Sequence, residues 1–180
     1  MGEPHHSEDL HLRAPRAFSL NKRMLHSLVA ISWRTILLWS LMFWQGGFLF
    51  YASAVVPIAQ DVIGHRQQGF ITRRVTVWMN GAAVVCLGFL AIEMAACADP
   101  EPRRRRIAWG LWLGIVLCQA FLFVLHPRLD ALLDPAEFAV ESGFRPLHRA
   151  YLWIHTVQWA LAVMLTAFIV ASWRTRDRQT

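Results

Sequence analysis

Four long apolar runs, each closed by arginine, constrain this 180-residue chain more than any other feature. Crossing the hydrocarbon of a bilayer takes roughly 20 apolar residues of α-helix. The runs at about 35–59, 75–96, 107–125 and 150–173 all meet that length. They are bounded by Arg34, by Arg73 and Arg74, by Arg103–Arg106, and by Arg149 and Arg174. Trp33, Trp78, Trp109 and Trp173 stand near their ends, where an amphipathic ring prefers the interface. Composition agrees: 56% of residues are hydrophobic and 17% charged, against about 45–50% and about 25% in soluble domains. A soluble globule, a disordered chain and a DNA-binding domain are thereby excluded. The net charge of +6 then reports topology and lipid contact instead of nucleic acid.

The expected fold is all-α: a bundle of four transmembrane helices over residues 34–173, with a tail at 174–180. Residues 1–33 carry no secretory signal pattern, because their charged stretch is long and nothing resembles a cleavage site. Leu20, Met24, Leu28 and Ile31 recur at helical spacing with Lys22 and Arg23 between them. That pattern predicts an amphipathic helix on the membrane surface before the first span turns inward. Twelve Lys and Arg residues fall on the side of the termini and second loop, six on the side of the first and third loops. Positive residues stay inside, so both termini are expected in the cytoplasm of a cell-membrane protein. The loops 60–74 and 126–149 would then face outward. In the second of these, Asp134-Pro135-Ala136-Glu137 reads as a cap, a first-turn proline and a first-turn carboxylate. It predicts a short outer helix from Pro135 to Glu141. The run Arg103–Arg106 is expected to contact anionic lipid.

Polar residues within spans normally face the bundle interior. His148, Tyr151, His155 and Gln158 are spaced 3, 4 and 3 apart, which places them on one helix face. Gln119 and His126 share a stripe of the third span, and Arg73 and Asn80 one of the second. At about 1.5 Å per residue, His155, Asn80 and Gln119 lie roughly 9–11 Å inside the outer ends of their apolar runs. Tyr51 and Ser53 lie in the outward half of the first span. His155, Gln158, Tyr151, Asn80, Gln119 and Tyr51 are therefore the candidates for a binding site in the outer half of the bundle. His126, His148 and His155 are the candidate metal ligands. The competing reading is a structural polar layer, since amides and imidazoles hydrogen-bond between spanning helices for about 0.6 kcal/mol each. For His126 and His148, simple solvation at the interface is the alternative.

Glu93 is the only acid well inside a span, about one turn from its inner end, where it could reach water by snorkelling or serve a proton or cation role. Gly110-x-x-x-Gly114 and the small patches at Gly46-Gly47 and Gly81-Ala82-Ala83 read as places of close helix approach. Cys86, Cys97 and Cys118 read as buried thiols without a disulfide framework. No phosphate-binding loop, zinc-protease motif, nucleophile elbow, CxxC or nucleotide-binding glycine pattern occurs. An enzyme of a usual membrane class is disfavoured.

Three segments carry a family resemblance. Trp44-Gln-Gly-Gly-Phe-Leu-Phe-Tyr-Ala-Ser-Ala-Val-Val-Pro57 resembles the first-helix signature of the transmembrane protein 205-like family. Gln68-Gly-Phe-Ile-Thr-Arg-Arg-Val-Thr-Val-Trp-Met-Asn80 is similar to its outer loop and second helix, and Leu147-His-Arg-Ala-Tyr-Leu-Trp-Ile-His-Thr-Val-Gln-Trp159 to its last. The resemblance covers about residues 40–172 and implies a small four-helix integral membrane protein. The eukaryotic namesake is associated with platinum-drug resistance, and the architecture is distantly similar to the copper-resistance D-type membrane domain. The family carries no established catalytic set, so no catalytic residue is assigned.

Three function classes remain. The first handles a ligand, either copper or a similar cation or a small solute, in the outer half of the bundle. Imidazole suits copper, and Asp130, Asp134, Glu137 and Glu141 would gather cations. The second is a b-type haem electron carrier, with His126 paired to His148 or His155 across the bundle. The third is a structural or partner subunit, alone or as a homo-oligomer, whose polar layer only fixes helix register.

Overall fold

In the computed structural model the described residues are 14–97, 99–134, 139–140 and 143–178. Their internal contacts divide the chain at residues 39 and 40. The first unit is helical from Ala14 as part of α1 (Ala14–Leu41). That helix continues through Trp33 and Arg34, where the sequence suggests a turn into the membrane. Met24, Leu28 and Ile31 are exposed along it, and Thr35 Oγ1 donates to the Ile31 carbonyl at 2.9 Å.

The second unit holds the rest of the first membrane helix and the three that follow. After α1 the backbone stays helical through α2 (Gly47–Phe50) and α3 (Val56–Ile63). Between them, residues 42–46 and 51–55 form two wider π turns. The second has a local cause in Pro57, which has no N–H and whose ring crowds the carbonyl four residues back. A π turn just before it makes room, a common adjustment in membrane helices. Gly64 then ends the first helix at φ 84°, ψ 156°, a conformation that glycine reaches without strain.

α4 (His65–Ala96) begins at the next residue, so the expected loop at 60–74 reduces to a single-residue break. Polar residues on either side of Gly64 stay helical because nothing else there interrupts the backbone ladder. α5 (Pro102–Ala131) and α6 (Phe144–Asp177) likewise overrun their apolar segments. Between them β1 (Leu133–Asp134) pairs antiparallel with β2 (Ala139–Val140). The expected outer helix Pro135–Glu141 falls mostly outside the described residues. Its two described members, Ala139 and Val140, are extended and take their hydrogen bonds from β1.

Among the described residues four helices are long and apolar enough to cross a membrane: Ser27–Ile63, Gln67–Ala96, Pro102–Ala131 and Phe144–Asp177. The chain is a multi-pass membrane protein. Its surface is apolar where a soluble protein's would be polar: Trp78 is 82% exposed and Phe43 70%, while Asn80, Gln119 and Gln158 are buried. Cohesion inside lipid comes from close packing and hydrogen bonds, because lipid tails are as apolar as leucine. Leu90, Ile115, Leu122 and Leu165 are among the fully buried side chains. α5 and α6 pack most extensively, and a Cβ at Gly114 would stand 3.3 Å from Leu161 Cδ1. Gly110 faces open space, so only one glycine of the GxxxG serves this contact.

Candidate functional site

One hydrogen-bonded chain crosses the bundle from α6 to α5 to α4 and back to α6. Gln158 Nε2 donates to Gln119 Oε1 at 2.8 Å. Gln119 Nε2 donates to Asn80 Oδ1 at 3.2 Å, and Asn80 Nδ2 to the Tyr151 hydroxyl at 3.1 Å. All four residues are buried. Tyr151 and Gln158 serve together because seven residues on α6 bring the chain back to the same face. Since α4 overruns its apolar run, Asn80 sits 15 residues after His65 and 16 before Ala96, at the middle of the whole helix.

His155 lies on this face between the two ends of the chain, 8% exposed. Its ring stacks on Phe48 at 5.3 Å between centroids, 17° apart in plane. Tyr151 meets it edge-on at 4.9 Å and 66°. Among the described residues its ring nitrogens make no hydrogen bond. Phe48 carried no signal in the sequence, where one phenylalanine among several in an apolar run reads as filler.

Tyr51 does not join this chain. Its hydroxyl is 2.9 Å from Thr72 Oγ1, and Thr72 bonds in turn to Gln68, which accepts from Gln60 Nε2 at 3.5 Å. Thr72 precedes Asn80 by eight residues of α4, about 12 Å along the axis. The Tyr51 set is thus a second polar layer nearer Gly64.

The three histidines proposed as metal ligands are not gathered. His148 stacks on Phe144 at 5.2 Å. His126 lies 3.8 Å from Asp130, whose other oxygen takes Arg73 Nε at 2.7 Å. The Tyr151 ring packs on both His126, at 6.4 Å, and His155, at 4.9 Å. Tyr151 thus lies beside both imidazoles. Among the described residues no group of three or more His, Cys, Asp or Glu forms a metal site.

At the opposite end of the bundle, Glu93 is buried instead of reaching water. Trp173 Nε1 and Arg176 Nη2 both donate to its Oε1, each at 2.7 Å, and Arg176 Nη1 reaches the Cys97 carbonyl at 3.0 Å. The overrun of α6 past its apolar run brings this cation in. Nearby, Asp99 takes Arg104 and the Glu101 N–H, the latter at 2.8 Å. The Arg104 guanidinium, bonded to Asp99, holds its carboxyl below the ordinary carboxylate range. A cavity of about 30 Å³ adjoins this cluster, room for one or two waters.

Comparison with known proteins finds no matching family model, no matching curated protein and no matching solved structure.

Proposed function

We propose that this multi-pass protein belongs to the transmembrane protein 205-like family, sits in the cell membrane with both termini cytoplasmic, and holds a small ligand beside His155. The observation that carries the reading is the contrast within the polar layer. Asn80, Gln119, Gln158 and Tyr151 bond one another, whereas the buried imidazole of His155 meets only rings. Its ring nitrogens are unpartnered among the described residues without being fully buried atoms, so an entering group can reach them, and an unpartnered polar group at membrane depth is costly. Ionisable residues at membrane depth are functional candidates for that reason. A ligand that hydrogen-bonds or coordinates the imidazole would offset the cost.

The neighbouring donors are an amide and a phenol, which suits a hydrogen-bonding solute better than a soft cation. A single cation on His155 is the narrower form of the same reading. In this arrangement Arg103, Arg105 and Arg106, exposed at the start of α5, lie at the cytoplasmic face and contact anionic lipid. A homo-oligomer or a membrane partner would meet the exposed apolar faces.

The test is an inventory of protein purified in mild detergent: elemental analysis, an optical spectrum, and mass spectrometry of small molecules released on denaturation. One solute or cation per chain is expected, without a haem spectrum. A chain that releases nothing when purified from cells in several growth media contradicts the reading.

A further inference from the structure

We propose that a groove along α6 binds one anionic phospholipid, with its acyl chain on the floor and its phosphate at the C-terminal mouth. The groove is an open surface depression of about 910 Å³, lined along α6 by Val163, Ala167, Val170, Arg174 and Arg178 with Thr166, Ala171 and Thr175 beside them, and by Arg104 of α5 at one edge. The first five are spaced 4, 3, 4 and 4 apart, one stripe of a helix. From Val163 to Arg174 is 11 residues, about 16 Å along the axis, close to half of a hydrocarbon core about 30 Å thick. The floor is thus apolar for the depth of one leaflet and turns basic where the headgroups begin.

Charge selects the headgroup. Arg104 is already matched, because Asp99 takes its guanidinium and Nη2 also reaches Thr175 Oγ1 at 3.2 Å. Arg174 and Arg178 are exposed and have no carboxylate partner among the described residues. Guanidinium groups bind phosphate oxygens in pairs of parallel hydrogen bonds. A zwitterionic headgroup would bring its own ammonium against the two arginines, whereas an anionic one adds no such opposition. This site is separate from the ligand position beside His155 and does not use Arg103, Arg105 or Arg106.

Native mass spectrometry tests it on the full chain exchanged into micelles holding equal phosphatidylglycerol and phosphatidylcholine. The protein is expected to retain one phosphatidylglycerol in preference. An arginine near an anionic surface strengthens attraction about fivefold, so Arg174→Gln with Arg178→Gln should lower that retention about 25-fold. Arg128→Gln with Arg145→Gln removes the same charge from exposed arginines far from the groove and should leave it unchanged. Ala167→Phe, which keeps every charge, should fill the floor and release the lipid. An equal loss from both arginine pairs, retention of both lipids alike, full retention by Ala167→Phe, or displacement by millimolar inorganic phosphate would each overturn the proposal.

Discussion

Gln119 is the middle link of the polar chain, donating to Asn80 and accepting from Gln158. Replacing it by leucine strands a carbonyl on one side and an amide on the other, and a buried group left unpaired costs more than the bond itself contributed. Gln119→Leu is expected to lower stability in mixed micelles by about 1–2 kcal/mol. Tyr151→Phe strands a single group, the Asn80 amide N–H, and should cost about half as much; equal losses would mean the chain is not formed as described. At this scale the sequence was informative about faces. The 3-4-3 spacing of His148, Tyr151, His155 and Gln158 fixes which side chains point inward. It carries no information on which pairs bond. Tyr51 is one helical stripe away from Thr72 as readily as from Asn80, and only the register between two helices decides. The pairing of Glu93 with Trp173 and Arg176 was hidden for a similar reason, since the partners are 80 and 83 residues away in the chain.

Element ends are where structure and sequence part most. Hydropathy marks the lipid-contacting part of a helix, whereas the backbone ladder stops only at a residue that breaks it, so α4, α5 and α6 run past their apolar segments. The two π turns of the first membrane helix, 42–46 and 51–55, were not read from the sequence, although Pro57 lies just beyond the second. The turn from α4 to α5 is the element whose stability is most dependent on charge. Asp99 accepts from the Glu101 N–H and from Arg104, and Arg104 draws its carboxyl below the usual range. A carboxyl lowered on folding stabilises the native state above its unfolded pKa and loses that contribution as pH falls. The turn should therefore weaken as pH drops below about 4, the ordinary aspartate value. Hydrogen exchange of the amides at 100–105 would report it, and Asp99→Asn should exchange faster at neutral pH with a flatter pH profile. An Asp99→Asn profile that overlays the unsubstituted one would show that the carboxylate does not hold this turn.

For the whole molecule, orientation rests on the split of 12 basic residues against six between the two sides. In a background with the three native cysteines replaced, an impermeant thiol reagent added to intact cells should label His65→Cys and leave Arg105→Cys untouched, and the reverse pattern would invert the topology. Architecture was legible from sequence because lipid leaves few options: a buried backbone must bond internally, so apolar length nearly determines the element. A ligand leaves no such trace when one imidazole contacts it. That imidazole is also the most direct test. His155→Leu keeps bulk and helix preference and removes only the ring nitrogens, so the variant should insert, remain at least as stable once stripped of ligand, and lose the solute or cation that the unsubstituted protein carries. His148→Leu should keep it. A His155→Leu protein that is more thermostable and carries the same complement as the unsubstituted chain would contradict the account and leave His155 a packing residue.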